Sequence, residues 1–160
     1  MTEEERDFKS TVERELQVNG VYVTKTSGVS MEPLFRTHRD AVMIVPPSAE
    51  LSKYDIALYT YGDGRFILHR VIGVRDDVYL IRGDNTYITE RVPKGRVIGV
   101  VSAFNRKGKR YDLSEFSYKF YSRFWNYIYP VRYVLNLVKR VLSKIKRTIF
   151  KNKRKNTGQN

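Results

Sequence analysis

Three short blocks of the 160-residue chain carry groups able to do covalent chemistry: Gly28-Val29-Ser30-Met31-Glu32-Pro33, His69-Arg70-Val71-Ile72-Gly73 and Gly83-Asp84-Asn85. A serine hydroxyl is a poor nucleophile until a base takes its proton. A neutral imidazole does this near pH 7, and a carboxylate on the far ring nitrogen fixes the tautomer. Ser30, His69 and Asp84 supply those three groups, in that order. Singly, each block has a plainer reading, as a loop serine, a histidine satisfied in a core and a Gly-Asp-Asn turn. Together they have the composition of an acyl-transfer site.

Other chemistries find no support. The chain has no cysteine, which excludes a disulfide framework, a thiolate zinc site and a thiol nucleophile. His38 sits in Arg36-Thr37-His38-Arg39-Asp40 without a helical histidine partner, so no metal is expected. There is no glycine-rich phosphate loop, and no cofactor is expected. Ser143-Lys144-Ile145-Lys146 spells S-x-x-K, but it lies in a basic helical pattern with no S-D-N or K-T-G elsewhere. Gly28 to Glu32 lacks the second glycine of a nucleophile elbow, which argues against an α/β-hydrolase.

The elements that must hold these blocks are mostly strands. Thr2 to Gln17 reads as a short helix, with Thr2 and Glu5 as a capping box and Phe8, Val12 and Leu16 on one face. From Val21 to Val101 short apolar runs alternate with turn signals such as Pro46-Pro47, Asp63-Gly64 and Pro93-Lys94-Gly95. The runs are Val21–Val23, Ala41–Val45, Ile56–Tyr61, Phe66–Val74, Val78–Ile81 and Val97–Val101. Their spacing leaves no room for crossover helices, so a mainly β body of coiled antiparallel sheets is expected. Past Pro130, apolar residues from Val131 to Ile149 keep a helical period with basic residues on the other side. The expected organisation is a helix over 1–19, a catalytic body over 20–112, an aromatic and basic helical tail over 113–150 and disorder over 151–160.

The order of the three blocks and the residues flanking them resemble the type I signal peptidases and, more distantly, the self-cleaving LexA-like repressors. In that family the nucleophile stands in a G-x-S-M-x-P stretch, which Gly28 to Pro33 matches. Arg39-Asp40-Ala41-Val42 resembles the next family box. Lys53-Tyr54-Asp55-Ile56-Ala57 looks like the family's G-D-I-V stretch with Tyr54 in place of glycine. The general-base box, K-R-V-I-G in many bacterial members, begins here with His69, as in the endoplasmic-reticulum and archaeal type. The resemblance spans residues 20–104. It implies a serine endopeptidase that cuts a leader or precursor peptide, with Ser30 as nucleophile and His69 as base, and with Gly28 and Met31 beside the oxyanion and substrate. Many members carry a serine where this chain has Gly28, so the oxyanion is expected on backbone N–H groups such as that of Ser30. Asp84 is the expected acid. His-type members have a further acid shortly after the G-D-N block, where Glu90 falls, and Asp84 then becomes a structural partner for Arg70 or a turn.

Charge separates the chain into two parts. Residues 1–105 hold 14 Lys and Arg against 15 Asp and Glu, whereas residues 106–160 hold 16 against only Asp112 and Glu115. Nine aromatics lie between Phe116 and Tyr133. This composition suits an anionic membrane surface reached from one side through residues 116–150, because the family's spanning helix has no counterpart here. The alternative is that Val131 to Phe150 packs on the sheet or on a second subunit. No uncharged run approaches the ~20 residues of a membrane span, and the acidic Met1 to Glu5 is unlike a secretory n-region. These features lead to an expected cytoplasmic location, peripheral at the inner membrane surface. Two other functions compete. A self-cleaving nucleic-acid-binding regulator would use the basic tail on phosphates, but residues 1–19 are too few for a helix-turn-helix. A catalytically inactive peptide-binding module would not need both Ser30 and His69.

Overall fold

The computed structural model describes residues 3–157 apart from Asp63, and the backbone alone for residues 3–10, 145–146 and 148–157. The body is mainly β, as expected. Its eight strands are β1 (Tyr22–Lys25), β2 (Ala41–Val45), β3 (Ile56–Thr60), β4 (Phe66–Val74), β5 (Val78–Arg82), β6 (Glu90–Pro93), β7 (Val97–Arg106) and β8 (Lys109–Asp112). They form one antiparallel sheet in the order β1-β2-β7-β3-β4-β5-β6, with β8 added to the distal part of β7. Among the described residues three α-helices accompany the sheet: α1 (Glu3–Asn19), α2 (Phe116–Tyr127) and α3 (Tyr129–Thr157). Two compact units result, residues 1–126 and 127–160.

The apolar pattern explains why the sheet carries two cores. Alternate residues of a strand face opposite sides. On one side Ile56 and Leu58 of β3 meet Val42, Ile44, Leu34, Phe35 and α1 through Val12 and Leu16. On the other, Ala57 and Tyr59 of β3 meet Val71, Tyr79, Ile81 and Val92. β3 is therefore buried on both faces, which is why Ile56 to Tyr59 is an unbroken apolar run rather than an alternating one. Bulges interrupt the register at Met43/Ile44 and Leu58/Tyr59 against β7 and at Val71/Gly73 against β5, and these coil the sheet.

Four elements differ from the sequence expectation. β6 and β8 have no strand signal of their own, because each has four residues and takes its place by pairing with a stronger neighbour. α2 is a helix separate from α3, where one aromatic and basic helical tail over 113–150 is expected. The turn ahead of it is held by Asp112 and Glu115: the Ser114 N–H donates to Asp112 Oδ1 at 2.8 Å, and the Asp112 N–H donates to Glu115 Oε1 at 3.3 Å. These two bonds close the turn between β8 and α2, and they use the two acids of residues 106–160. α3 runs to Thr157, beyond the expected disorder from Lys151. That segment contains no Pro or Gly before Gly158, and its Lys and Arg are good helix formers that suit a helix C-terminus. Thr2, expected in the first cap, lies outside the described residues.

Candidate active site

Ser30 lies in the loop between β1 and β2, and three loop carbonyls are tied to side chains or backbone of other segments. The Gly28 carbonyl accepts from Thr37 Oγ1, the Val29 carbonyl from Asn85 Nδ2 at 3.2 Å, and the Ser30 carbonyl from the Asn85 N–H at 2.7 Å. Gly28 has φ +84°, a left-handed conformation that favours glycine and turns the chain just ahead of the nucleophile. Met31 is buried and packs with Leu34 and Phe35 in the core beneath the loop. Ser30, Gly28, Met31 and His69 line one cavity of about 370 Å³, walled by β1, β2, β3 and β4. Its remaining lining is largely apolar, including Phe35, Ile44, Leu58 and Leu68.

His69 is on β4, where Ala57 is its cross-strand partner. One edge of its ring lies beside Gly83. A methyl group built on Gly83 would come within 2.9 Å of His69 Nε2 and 2.7 Å of the Ser30 carbonyl oxygen. Gly83 is therefore the close approach that lets the histidine and the serine loop share one place. At the other edge of the ring, Nδ1 lies 3.3 Å from Glu90 Oε1 and 3.3 Å from the Tyr59 hydroxyl, which itself donates to Glu90 Oε2 at 3.0 Å. A neutral ring with its proton on Nδ1 satisfies this arrangement and leaves the Nε2 lone pair on the Gly83 side.

Burial sets the protonation of the group. It lowers the His69 pKa below the ordinary 6.5, and the opposing influence of Glu90, by charge and hydrogen bond, and of Asp84, by charge, is smaller. Tyr59 is shifted upward by burial and by the neighbouring Glu90 carboxylate, so its hydroxyl keeps its proton and remains a donor.

Asp84, the expected acid, is instead bound to Arg70. Its two carboxylate oxygens accept from Arg70 Nε and Nη2, both at 2.7 Å, and both side chains are buried. The reason is strand parity. His69 and Arg70 are consecutive on β4, so their side chains leave opposite faces of the sheet. Arg70 is opposite Ile56 of the first core, whereas His69 shares its face with Tyr59 and Val71 of the second. The row Val71, Ile81, Glu90 across β4, β5 and β6 carries Glu90 onto the histidine's face. That row depends on the β5–β6 register, which is why the sequence alone leaves Asp84 and Glu90 as alternatives.

Arg70 also ties distant segments together. Its Nη1 donates to the Tyr54 carbonyl at 3.0 Å and meets the Tyr118 hydroxyl of α2 at 2.7 Å. Tyr54 has φ +86°, an unfavourable conformation for a bulky residue, at the position where glycine was expected by resemblance. Trp125 of α2 donates from Nε1 to the Asp84 carbonyl at 3.0 Å. Tyr59 and Tyr118 carry no signal of their own in a chain rich in aromatics, and Trp125, which by sequence suits a lipid headgroup layer, turns inward to Asp84 instead. Asp40 is fully buried and accepts from Arg39 at 2.7 Å and from the Arg36 N–H at 2.9 Å, which makes it an organiser of its turn. Among the described residues no group of acidic and histidine side chains is arranged to hold a metal. No protein-family model matches the chain, and no curated protein shows significant similarity to it.

Proposed function

We propose that the chain is a serine endopeptidase of the signal peptidase-like kind, cutting a leader or precursor peptide through Ser30, His69 and Glu90. The observation that carries this reading is the two-sided environment of His69. Nδ1 faces a partly buried Glu90–Tyr59 pair, and Nε2 faces the Gly83 approach to the Ser30 loop. In this mechanism His69 Nε2 takes the Ser30 Oγ proton as the oxygen adds to the scissile carbonyl. The Ser30 N–H stabilises the resulting oxyanion. The intermediate collapses as Nε2–H passes the proton to the leaving amine, giving an acyl-enzyme that holds the amino-terminal part and freeing the carboxy-terminal fragment with its new amino terminus. Water then adds to the ester with His69 again as base, which releases the acid and restores the serine. Glu90 holds the Nδ1 proton and stabilises the imidazolium that forms in both steps.

The apolar cavity at Ser30 has the volume and lining of a small ligand site and suits an extended peptide laid beside β1. Incubating the full chain with a mixture of unmodified peptides and sequencing the new termini by mass spectrometry tests the reading. Wild-type protein is expected to cleave, and Ser30→Ala and His69→Ala each to reduce the rate by about 10³-fold or more. Unchanged cleavage by Ser30→Ala would overturn the assignment.

A further inference from the structure

Helix α2 has two faces of different character. The inner face carries Tyr118 and Ser122, both buried, and Trp125, which reaches the Asp84 carbonyl. The outer face carries Phe116, Phe120 and Phe124, which are 82%, 62% and 50% exposed. Their rings stack in succession, with centroids 6.5 and 6.1 Å apart, and form a continuous apolar ridge. Lys119 and Arg123 fall beside the ridge on the helical wheel. Aromatic rings of this size are ordinarily buried, and three in a row left open mark a surface that meets something.

Helix α3 repeats the pattern with aliphatic residues. Val131, Val134, Leu135, Val138, Val141 and Leu142 fall on one arc of the wheel, and all are exposed. Lys139, Arg140, Lys144 and Arg147 occupy the remainder. No described helix is long and apolar enough to cross a membrane.

We infer that the Phe116–Phe120–Phe124 ridge and the apolar arc of α3 dock onto an anionic lipid bilayer surface. Charge decides among the possible occupants. Residues 106–160 carry 16 basic side chains and two acidic ones, and both acids are engaged in the turn that leads into α2. A second copy of this chain would cover the apolar faces only by setting one strongly basic segment against another. A nucleic acid would take the charge but gives valine and leucine nothing to pack on. An anionic bilayer supplies both the negative headgroups and the acyl region into which apolar side chains can insert. Because Trp125 and Tyr118 join α2 to Asp84 and Arg70, such docking holds the Ser30–His69 region beside the lipid surface. The inference stands on the exposed faces and the charge, independently of the peptidase reading.

The test is sedimentation of the full chain with vesicles of phosphatidylcholine alone and with vesicles of phosphatidylcholine mixed with phosphatidylglycerol. The expected result is binding to the anionic vesicles at least about 10-fold stronger than to the neutral ones. The combined variant Phe116→Ser, Phe120→Ser, Phe124→Ser should weaken binding by about 10-fold or more with an unchanged circular dichroism spectrum. Leu135→Ser with Leu142→Ser gives a second, independent loss. The inference is overturned if the full chain binds both vesicle types equally or not at all, or if folded serine variants bind like the wild type. It is equally overturned if those variants dissociate a dimer, or a single-stranded oligonucleotide complex, without changing vesicle binding.

Discussion

Two carboxylates stand near the candidate base, and the structure gives them different work. Glu90 faces His69 Nδ1, whereas Asp84 is consumed by Arg70 in a buried bidentate pair. Their replacement should therefore separate activity from stability. Glu90→Gln keeps shape while removing the charge that stabilises an imidazolium, so cleavage should fall by about 10²–10⁴-fold with little change in melting temperature. Asp84→Asn leaves a buried guanidinium without its counter-charge, which should cost about 3–5 kcal/mol of stability. Calorimetry and a peptide-cleavage rate on both variants check the pair. The pH profile follows from the same geometry. Catalysis needs neutral His69, and burial lowers its pKa below 6.5, so the rate should rise with pH to a midpoint below that value. Glu90→Gln removes a charge that raises the histidine's pKa, and its midpoint should lie lower still. The same shift has a stability sign. The unfolded chain takes up its proton first as pH falls below 6.5, so this histidine's stabilisation is complete above that pH and declines below it.

How the elements meet explains both what could be read in the sequence and what could not. Ala41–Val45, Ile56–Thr60 and Phe66–Val74 declare themselves as strands through their own apolar runs. β6, with Glu90, Arg91 and Pro93 around a single buried Val92, has no such signal. It is a strand because β5 offers it a register, and that register is what carries Glu90 to His69. The G-D-N block was legible as important but not in its role. Gly83 permits an approach, Asp84 holds Arg70 and Asn85 clamps the serine loop, three positioning tasks that spacing alone does not distinguish from supplying an acid. Gly83→Ala tests that division. The added methyl would stand 2.7 Å from the Ser30 carbonyl and 2.9 Å from His69 Nε2, so either the serine loop or the imidazole must move. Displacement of a reacting group by about 1 Å is enough to lower the rate by about 10²-fold. The expected variant is folded and bonded between Arg70 and Asp84, yet slow in peptide cleavage. Wild-type kinetics in a folded Gly83→Ala protein would mean that the approach does not govern the site.

The separation of charge along the chain assigns different salt responses to its two parts. The candidate site lies in residues 1–105, where 14 basic residues meet 15 acidic ones, and its governing contacts are buried or partly buried. Buried pairs are weakly screened, so cleavage of a short uncharged peptide should change by less than about 2-fold as salt is raised. The docking surface is the reverse case. Its basic residues are worth about 1 kcal/mol each near an anionic leaflet, and this attraction acts only within a Debye length, ~10 Å at 0.1 M salt and ~3 Å at 1 M. Vesicle binding should therefore fall by at least about 10-fold between these concentrations, leaving the part contributed by Phe116, Phe120, Phe124 and the α3 arc, which salt does not weaken. The serine variants of the ridge should show the opposite loss, retaining the salt-sensitive part and losing the remainder. Measuring both at low and high salt resolves the two contributions in one protein. If salt abolished cleavage of the uncharged peptide along with vesicle binding, surface charge would govern the reaction as well as the location, and the division between a near-neutral reacting body and a basic docking segment would fail.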